Sequence, residues 1–380
     1  MLTFLFSIGF RPFFLAAAWM AVLWMGAWTG FLLAGVPSPG SIPPLLWHGH
    51  EMLFGFTAAV IAGFLLTAVQ NWTGLRSVTP AQLAGLAALW FSARLGFLFP
   101  ELLPLWLTSV LDLAFLPMLA VVMARVLLKA GNRRNYAFIP LLAALTLLNG
   151  AVHLELHGLL AGIASWSIDV SILLITVLLV FMGGRVIPFF TERRLPAVNP
   201  RQWPWLNWSS TLSVLGVALV FLIVGRDPAL APILIIAGTL TLARLLAWRP
   251  WRVLREPLLW ILHLGYAWIP VGLGLQAAHL LGVGLPWSAG VHALMVGAMS
   301  TLCLGMMARV ALGHSGREMV APQPVVVGFV LISVAALGRV LISLPVGPGW
   351  LLGASGLLWS AAFLLYAIAY TPILMRPRAA

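Results

Sequence analysis

Long apolar stretches alternate with short polar breaks along the whole chain. A helix needs about 20 apolar residues to cross the hydrocarbon core of a bilayer, and twelve stretches reach about that length. They cover approximately residues 10–34, 47–71, 80–99, 103–128, 136–161, 164–188, 205–225, 229–248, 257–281, 286–312, 322–344 and 348–374. The pattern therefore predicts an all-α, polytopic membrane protein with about twelve transmembrane helices, forming a single integral membrane domain over residues 1–380.

Arg and Lys are distributed unevenly between alternate loops. Thirteen of them lie in the loops after the even-numbered spans and in the C-terminal tail, whereas the other loops hold only Arg226. Cytoplasmic loops carry the excess of Lys and Arg in membrane proteins. Both termini are therefore expected in the cytoplasm.

The composition agrees with a chain that lies in the lipid bilayer. Of its residues 62% are hydrophobic and only 8% are charged, with a mean hydropathy of +1.05, whereas a soluble protein carries about 25% charged residues. The net charge of +12 is explained by the loop asymmetry, so no nucleic-acid partner is predicted. The single cysteine, Cys303, excludes an intrachain disulfide and a CxxC redox or zinc site.

Histidines are the main candidates for chemistry. The predicted topology places six of the eight toward the outer half of the membrane, and these are His48, His50, His153, His157, His279 and His292. Ionisable groups at membrane depth are costly and commonly mark function, and imidazole is the commonest protein ligand for metals. Each ring alone could simply bond a neighbour, but six together favour a metal or haem site.

Two spacings refine this prediction. His153 and His157 are four residues apart, so they share one helix face and could bind one ion, such as copper. Four positions also recur at a common offset of 242 residues, with His50, Gly55, Gly63 and Gly74 matched by His292, Gly297, Gly305 and Gly316. If this is more than chance in a glycine-rich chain, it is a weak internal repeat between spans near 47–76 and 289–317. His50 and His292 would then lie at matching depths and could hold a haem b.

The second of these spans also carries soft ligands. His292, Met295, Met299 and Cys303 form one stripe of a helix, and thioether and thiol groups suit copper(I). Such a stripe would fit a copper path, although methionines in apolar helices more often fill packing gaps.

Buried acids and arginines complete the candidate site. Glu51 and Glu155 lie among the outer histidines, where they could orient an imidazole, bind a metal or act as catalytic proton donors. Arg94 and Arg339 lie within spans, so each needs an anionic partner. Haem propionates could supply it, or the carboxylates of Glu51, Glu101 and Asp112 could.

Several segments together resemble the NnrS family. They are Gly9-Phe10-Arg11-Pro12-Phe13-Phe14, Trp47-His48-Gly49-His50-Glu51-Met52, Asn149 through His157, Gly184-Arg185-Val186-Ile187-Pro188-Phe189-Phe190-Thr191, and His314-Ser315-Gly316-Arg317. Members of that family are bacterial inner-membrane proteins that contain haem and copper and are associated with nitric oxide and nitrosative stress.

The resemblance implies a haem–copper protein of the bacterial inner membrane that binds nitric oxide and could reduce it as an oxidoreductase. In that hypothesis His50 and His292 hold haem b, while His153, His157 and His48 hold copper or a second haem. A quinol or another donor would supply electrons. The alternatives are a transporter or chaperone for haem, copper or a nitrosyl-iron species, and a b-type electron carrier.

Overall fold

The computed structural model describes residues 2–33, 35, 42–344 and 347–379, and the predicted end of the first span at Ala34 lies outside them. Within these ranges the chain is helical and contains no strand, and twelve helices are long and apolar enough to cross a membrane. We number them α1 (Phe10–Leu33), α2 (Pro44–Thr73), α3 (Pro80–Leu98), α4 (Leu105–Lys129), α5 (Arg133–Leu156), α6 (Ile163–Arg194), α7 (Pro204–Val224), α8 (Pro228–Arg252), α9 (Pro257–Leu280), α10 (Trp287–His314), α11 (Gln323–Leu341) and α12 (Trp350–Leu374). The predicted fold class is confirmed.

The helices form two compact units. The first comprises Met1–Ser171, Val310–Arg317 and Ala367–Ala380, and the second comprises Ile172–Arg309 and Glu318–Tyr366. The orientation of the termini and the single domain stay predictions.

The largest differences from the predicted spans lie at the ends of two helices. Helix α5 stops at Leu156, not at residue 161, because Gly158 adopts a left-handed conformation with φ of 69°. The Glu155 carboxylate then accepts a hydrogen bond from the backbone N–H of Ala164 (2.7 Å) in the first turn of α6. Residues 157–162 therefore form a turn, although hydropathy alone predicts that the helix continues through them.

Helix α6 continues past Pro188, where the sequence predicts its end, and reaches Arg194. The Thr191 hydroxyl donates to the carbonyl of Ile187 (2.8 Å) in this part of the helix. Proline is tolerated inside membrane helices more readily than in soluble ones.

Helices α2 and α10 each contain a stretch of wide, π-helical turns. These cover Glu51–Thr57 and Ala293–Ser300, so each begins directly after one of the two histidines matched in the predicted repeat. In each stretch a hydroxyl donates to the carbonyl five residues before it, from Thr57 to Met52 (2.7 Å) and from Ser300 to Met295 (2.8 Å). Such turns are rare and frequently occur at functional sites. The repeat itself stays a prediction.

Helix α2 is the most deeply buried of the twelve. It packs against α1 and α4. A Cβ on Gly63 would lie 2.8 Å from the Phe14 ring of α1, so glycine is needed for this close approach. An ionisable side chain on α2 therefore needs its partners within the protein.

Candidate metal centre

Five helices of the first unit direct polar side chains to one buried place. These side chains are Trp24 of α1, His50 and Glu51 of α2, Arg94 of α3, Ser109 and Asp112 of α4, and Asn149 and His153 of α5. All of them are buried. Because polar groups cost free energy in such surroundings unless they are paired, their contacts with one another decide what the site can hold.

One carboxylate oxygen lies at the centre of the group. Asp112 Oδ2 lies 3.2 Å from His50 Nε2, 2.9 Å from His153 Nε2 and 2.7 Å from Asn149 Nδ2, which donates to it. The Asn149 amide oxygen lies 3.1 Å from the same His50 nitrogen. Two imidazoles, a carboxylate and an amide oxygen thus converge on one point.

The Nδ1 atoms of the two histidines contact other side chains on the side away from Asp112. His50 Nδ1 lies 3.0 Å from Glu51 Oε1, and His153 Nδ1 lies 2.9 Å from the Ser109 hydroxyl. Such outer contacts fix the orientation of a ligating imidazole. Both rings therefore point their Nε2 atoms at Asp112.

His50 has oxygen acceptors on both sides of its ring. An ionised carboxylate only accepts hydrogen bonds, and a neutral imidazole has only one N–H to donate. With Glu51 at Nδ1, the Nε2 atom that faces Asp112 and Asn149 would present its lone pair to oxygen atoms. A cation at this point, either a proton or a metal ion, removes that conflict.

Arg94 joins the two carboxylates of the site. Its guanidinium forms ion pairs with Glu51 and Asp112, while Glu51 also accepts a hydrogen bond from Trp24 Nε1 (2.7 Å). The anionic partner expected for Arg94 is thus a pair of protein carboxylates. Two carboxylates against one guanidinium leave the buried group with a net charge of −1 when both imidazoles are neutral, so one further positive charge would balance it.

Two glycines allow the helices to approach closely at this place. A Cβ on Gly55 would lie 2.9 Å from Arg94 Nη1 and would overlap Met20, and a Cβ on Gly96 would overlap Thr108. The first glycine makes room for the guanidinium beside α2. The second brings α3 against α4, and so Arg94 toward Asp112.

Other predicted site residues of the first unit lie outside the central group. His48 stacks on Trp28 with ring centroids 4.3 Å apart. His157 is exposed and reaches the group only indirectly, through a 3.0 Å contact between its Nε2 and the Ser109 hydroxyl. Glu155 binds the start of α6 as described above. These three side chains therefore lie at the periphery of the central group.

The remaining predicted residues belong to the second unit. His279 and His292 each place Nδ1 2.7 Å from a backbone carbonyl, of Leu285 and Ser288 respectively. Arg339 lies near the end of α11 and forms no ion pair with any residue that the structure describes. Their predicted roles at a haem stay predictions.

Comparison with known proteins adds one decisive finding. A family model described as NnrS protein matches residues 4–378, almost the full chain. The chain belongs to the NnrS family. Among curated proteins, none matches it.

The central group suits the kind of metal ion that the NnrS resemblance implies. One ligand atom from each of His50, Asp112 and His153 lies within 4.8 Å of the other two. An ion with four tetrahedral ligands at about 2.0 Å would hold them roughly 3.3 Å apart, close to the 3.2 and 2.9 Å found from Asp112 to the imidazoles. Imidazole and carboxylate together suit copper or non-haem iron.

A macrocycle at His50 fits these surroundings less well. The ring centroid of His50 lies 4.6 Å from that of Phe97 and 5.3 Å from that of Phe54. Its Nε2 already faces Asp112 and Asn149. The geometry therefore favours a single ion over haem at this histidine, and we derive no step through haem.

The sequence does not predict two members of the group, Asp112 and Asn149, as ligands. Asp112 was expected only as a partner of Arg94, and Asn149 was noted only within a family segment. Helical spacing could have indicated them. Asn149 precedes His153 by four residues and Ser109 precedes Asp112 by three, so each pair shares a helix face.

Proposed function

We propose that this NnrS-family protein is a multi-pass protein of the bacterial inner membrane that binds nitric oxide at a copper ion held by His50, Asp112 and His153. The observation that carries the proposal is the double contact of His50, whose two ring nitrogens both face oxygen acceptors. A copper ion bound to Nε2 would resolve that conflict, and its positive charge would offset the net charge of −1 derived above. Among common divalent metals, copper also has the highest affinity for such ligands.

The surrounding residues prepare the site for the ion. Glu51 holds His50 in one orientation, Ser109 does the same for His153, and Arg94 holds one oxygen of Asp112 so that the other faces the imidazoles. Burial of all these groups excludes bulk water. When bound, copper supplies a redox-active position that nitric oxide can occupy.

Reduction of nitric oxide would need electrons and protons from elsewhere. Two molecules of nitric oxide, two electrons and two protons give one nitrous oxide and one water, and a quinol can supply both the electrons and the protons. Glu51, which the sequence analysis named as a proton donor, contacts His50 directly. Its carboxylate is already bound by Arg94 and Trp24, so we assign it to holding the imidazole.

The proposal is tested on the full chain purified in mild detergent. We expect about one copper per chain, and an optical or electron paramagnetic resonance signal that changes when nitric oxide is added. The variants His153→Ala and Asp112→Ala should lose the copper. The variant His48→Ala should keep it, because that ring stacks on Trp28 outside the group.

Other outcomes identify the rival functions. Copper content that is unchanged in both His153→Ala and Asp112→Ala would overturn the assignment of the site. Substoichiometric copper or haem that exchanges freely would favour a transporter or chaperone. Stoichiometric haem without copper, with bands that ignore nitric oxide, would favour an electron carrier.

A further inference from the structure

A second buried polar group lies in the second unit, between α8 and α9. It consists of Arg244 and Trp248 of α8 and His263 and Tyr266 of α9, each at most 3% exposed. The Trp248 ring centroid lies 4.7 Å from that of Tyr266 and 6.3 Å from that of His263, and the Arg244 guanidinium carbon lies 5.4 Å from it. We call these four residues the α8–α9 cluster.

Three nitrogen atoms of the cluster lack a protein partner. Among the residues that the structure describes, none forms a hydrogen bond with Arg244 Nε, Trp248 Nε1 or His263 Nε2, although all three atoms are buried. A buried donor or acceptor without a partner costs about 1–3 kcal/mol. Three such atoms around one indole ring therefore indicate a bound polar group.

The hydrogen-bonding character of these atoms defines the ligand. Arginine and tryptophan nitrogens only donate. His263 Nδ1 lies 3.0 Å from the carbonyl of Leu259 and must donate to it, so Nε2 of the neutral ring is an acceptor. The ligand should therefore offer oxygen atoms that accept and an O–H that donates. A quinol offers both, and its oxidised quinone keeps the accepting oxygens.

The depth of the cluster indicates a ligand that dissolves in the bilayer. Arg244 lies three residues before the end of the helix Ala231–Ala247, and His263 lies six residues after the start of α9. At 1.5 Å per residue these positions are about 5 and 9 Å inside the helix ends. A lipid phosphate lies at the level of the helix ends, whereas a quinone ring reaches this depth from the lipid.

Helix α6 holds the cluster in place. Arg244 Nη1 donates to the carbonyl of Val180 (3.1 Å). A Cβ on Gly184 would overlap the guanidinium, and a Cβ on Gly183 would lie 3.0 Å from the Tyr266 ring. Both side chains thus lie flat against the glycines of α6, which fixes the donors before a ligand arrives.

We propose that the α8–α9 cluster binds the headgroup of a lipid-soluble quinone or quinol. Trp248 and Arg244 donate to its oxygen atoms, and His263 accepts from the quinol O–H. As the source of electrons for nitric oxide this site rests on the proposed function, since oxidation of one quinol to the quinone releases the two electrons and two protons counted above. Binding of the quinone itself does not depend on the metal centre.

The experiment is equilibrium dialysis of ubiquinone-1 against the full chain in detergent. We expect saturable binding, with the dissociation constant raised about 5- to 10-fold in Trp248→Phe, which removes one donor and keeps an aromatic side chain. In parallel dialysis of ubiquinol-1, the variant His263→Leu should weaken binding more than it weakens binding of ubiquinone-1, which has no O–H for Nε2 to accept. Two controls outside the cluster, Trp205→Phe and Tyr136→Phe, should bind like the unmodified chain.

Several results would overturn the proposal. One is the absence of saturable binding, and another is equal binding by the cluster variants and the unmodified chain. A third is displacement of the quinone by phosphatidylglycerol vesicles with the same dependence on the variants, which would indicate a lipid site. A fourth is loss of a haem band in His263→Leu, which would indicate a haem ligand. Copper content and the nitric oxide spectrum are measured on the same samples. If these stay normal while quinone binding fails, the inference is wrong and the proposed function stands.

Discussion

Arg94 of α3 and Asp112 of α4 form an ion pair in which both side chains are almost completely buried. The same guanidinium also binds Glu51 of α2. Three neighbouring helices are therefore joined by one cation, and the residue that completes this contact is also the central carboxylate of the candidate metal centre. Stability of the first unit and metal binding are coupled through Asp112.

Replacing Arg94 with Met should destabilise the protein by about 3–5 kcal/mol, because it leaves two buried carboxylates without their cation. Added copper should raise the thermal unfolding midpoint of Arg94→Met more than that of the unmodified chain, since the ion then takes over part of the missing charge. Unfolding in detergent, followed with and without copper, measures both effects.

The control for this prediction is Arg339→Met, in the second unit. It removes a spanning-helix arginine that pairs with no carboxylate among the described residues. Its unfolding midpoint should respond to copper like that of the unmodified chain. An equal response in Arg94→Met would contradict the coupling.

The Ser109 hydroxyl should tune copper affinity without binding the ion. Ser109→Ala removes the contact that orients His153, and loss of such an outer contact typically weakens metal binding 10- to 100-fold. Titration with a competing copper chelator measures the change. Ser333→Ala is the matched control, because its hydroxyl bonds only to the carbonyl of Phe329 in its own helix, and it should leave the affinity unchanged.

Gly55 should tolerate no side chain. The added methyl group of Gly55→Ala would press on Met20 and Arg94, so we expect a loss of about 1–3 kcal/mol of stability and a lower copper content. Gly85→Ala on α3 is the control, since nothing lies within 4 Å of its Cβ position. That change should be neutral or stabilise by up to about 1 kcal/mol. Equal thermal midpoints for the two variants would refute the close contact.

Hydropathy predicted the helices well because one physical requirement, about 20 apolar residues to cross the bilayer, governs them all. It misplaced the ends of α5 and α6, where a left-handed Gly158 and a tolerated Pro188 decide. It also could not predict the π-helical turns after His50 and His292, because these depend on backbone bonds that leave no trace in the apolar pattern.

The candidate site was predicted only in part, for a related reason. A histidine within a span stands out in the sequence because it is rare there, so His50 and His153 are predicted as candidate site residues. Asp112 is predicted only as an ion-pair partner of Arg94. Asn149 carries no charge, so its presence in a span is less unusual than that of an ionisable residue. Which polar side chains meet depends on the packing of α2, α3, α4 and α5, and a single sequence does not show that packing.

The contact between Arg11 and the end of α12 gives a test that is independent of the metal centre. Arg11 Nη1 donates to the carbonyl of Leu374 (2.8 Å), the last residue of α12, and to that of Arg376 just beyond the helix. The last four carbonyls of a helix lack partners within it. Arg11→Gln should therefore lower stability by about 1.5–3 kcal/mol, the usual contribution of a charged hydrogen bond, and leave the copper content unchanged. Arg376→Gln should have little effect on the unfolding midpoint, because only its backbone takes part, and a loss as large as that of Arg11→Gln would show that surface charge, not this contact, is responsible.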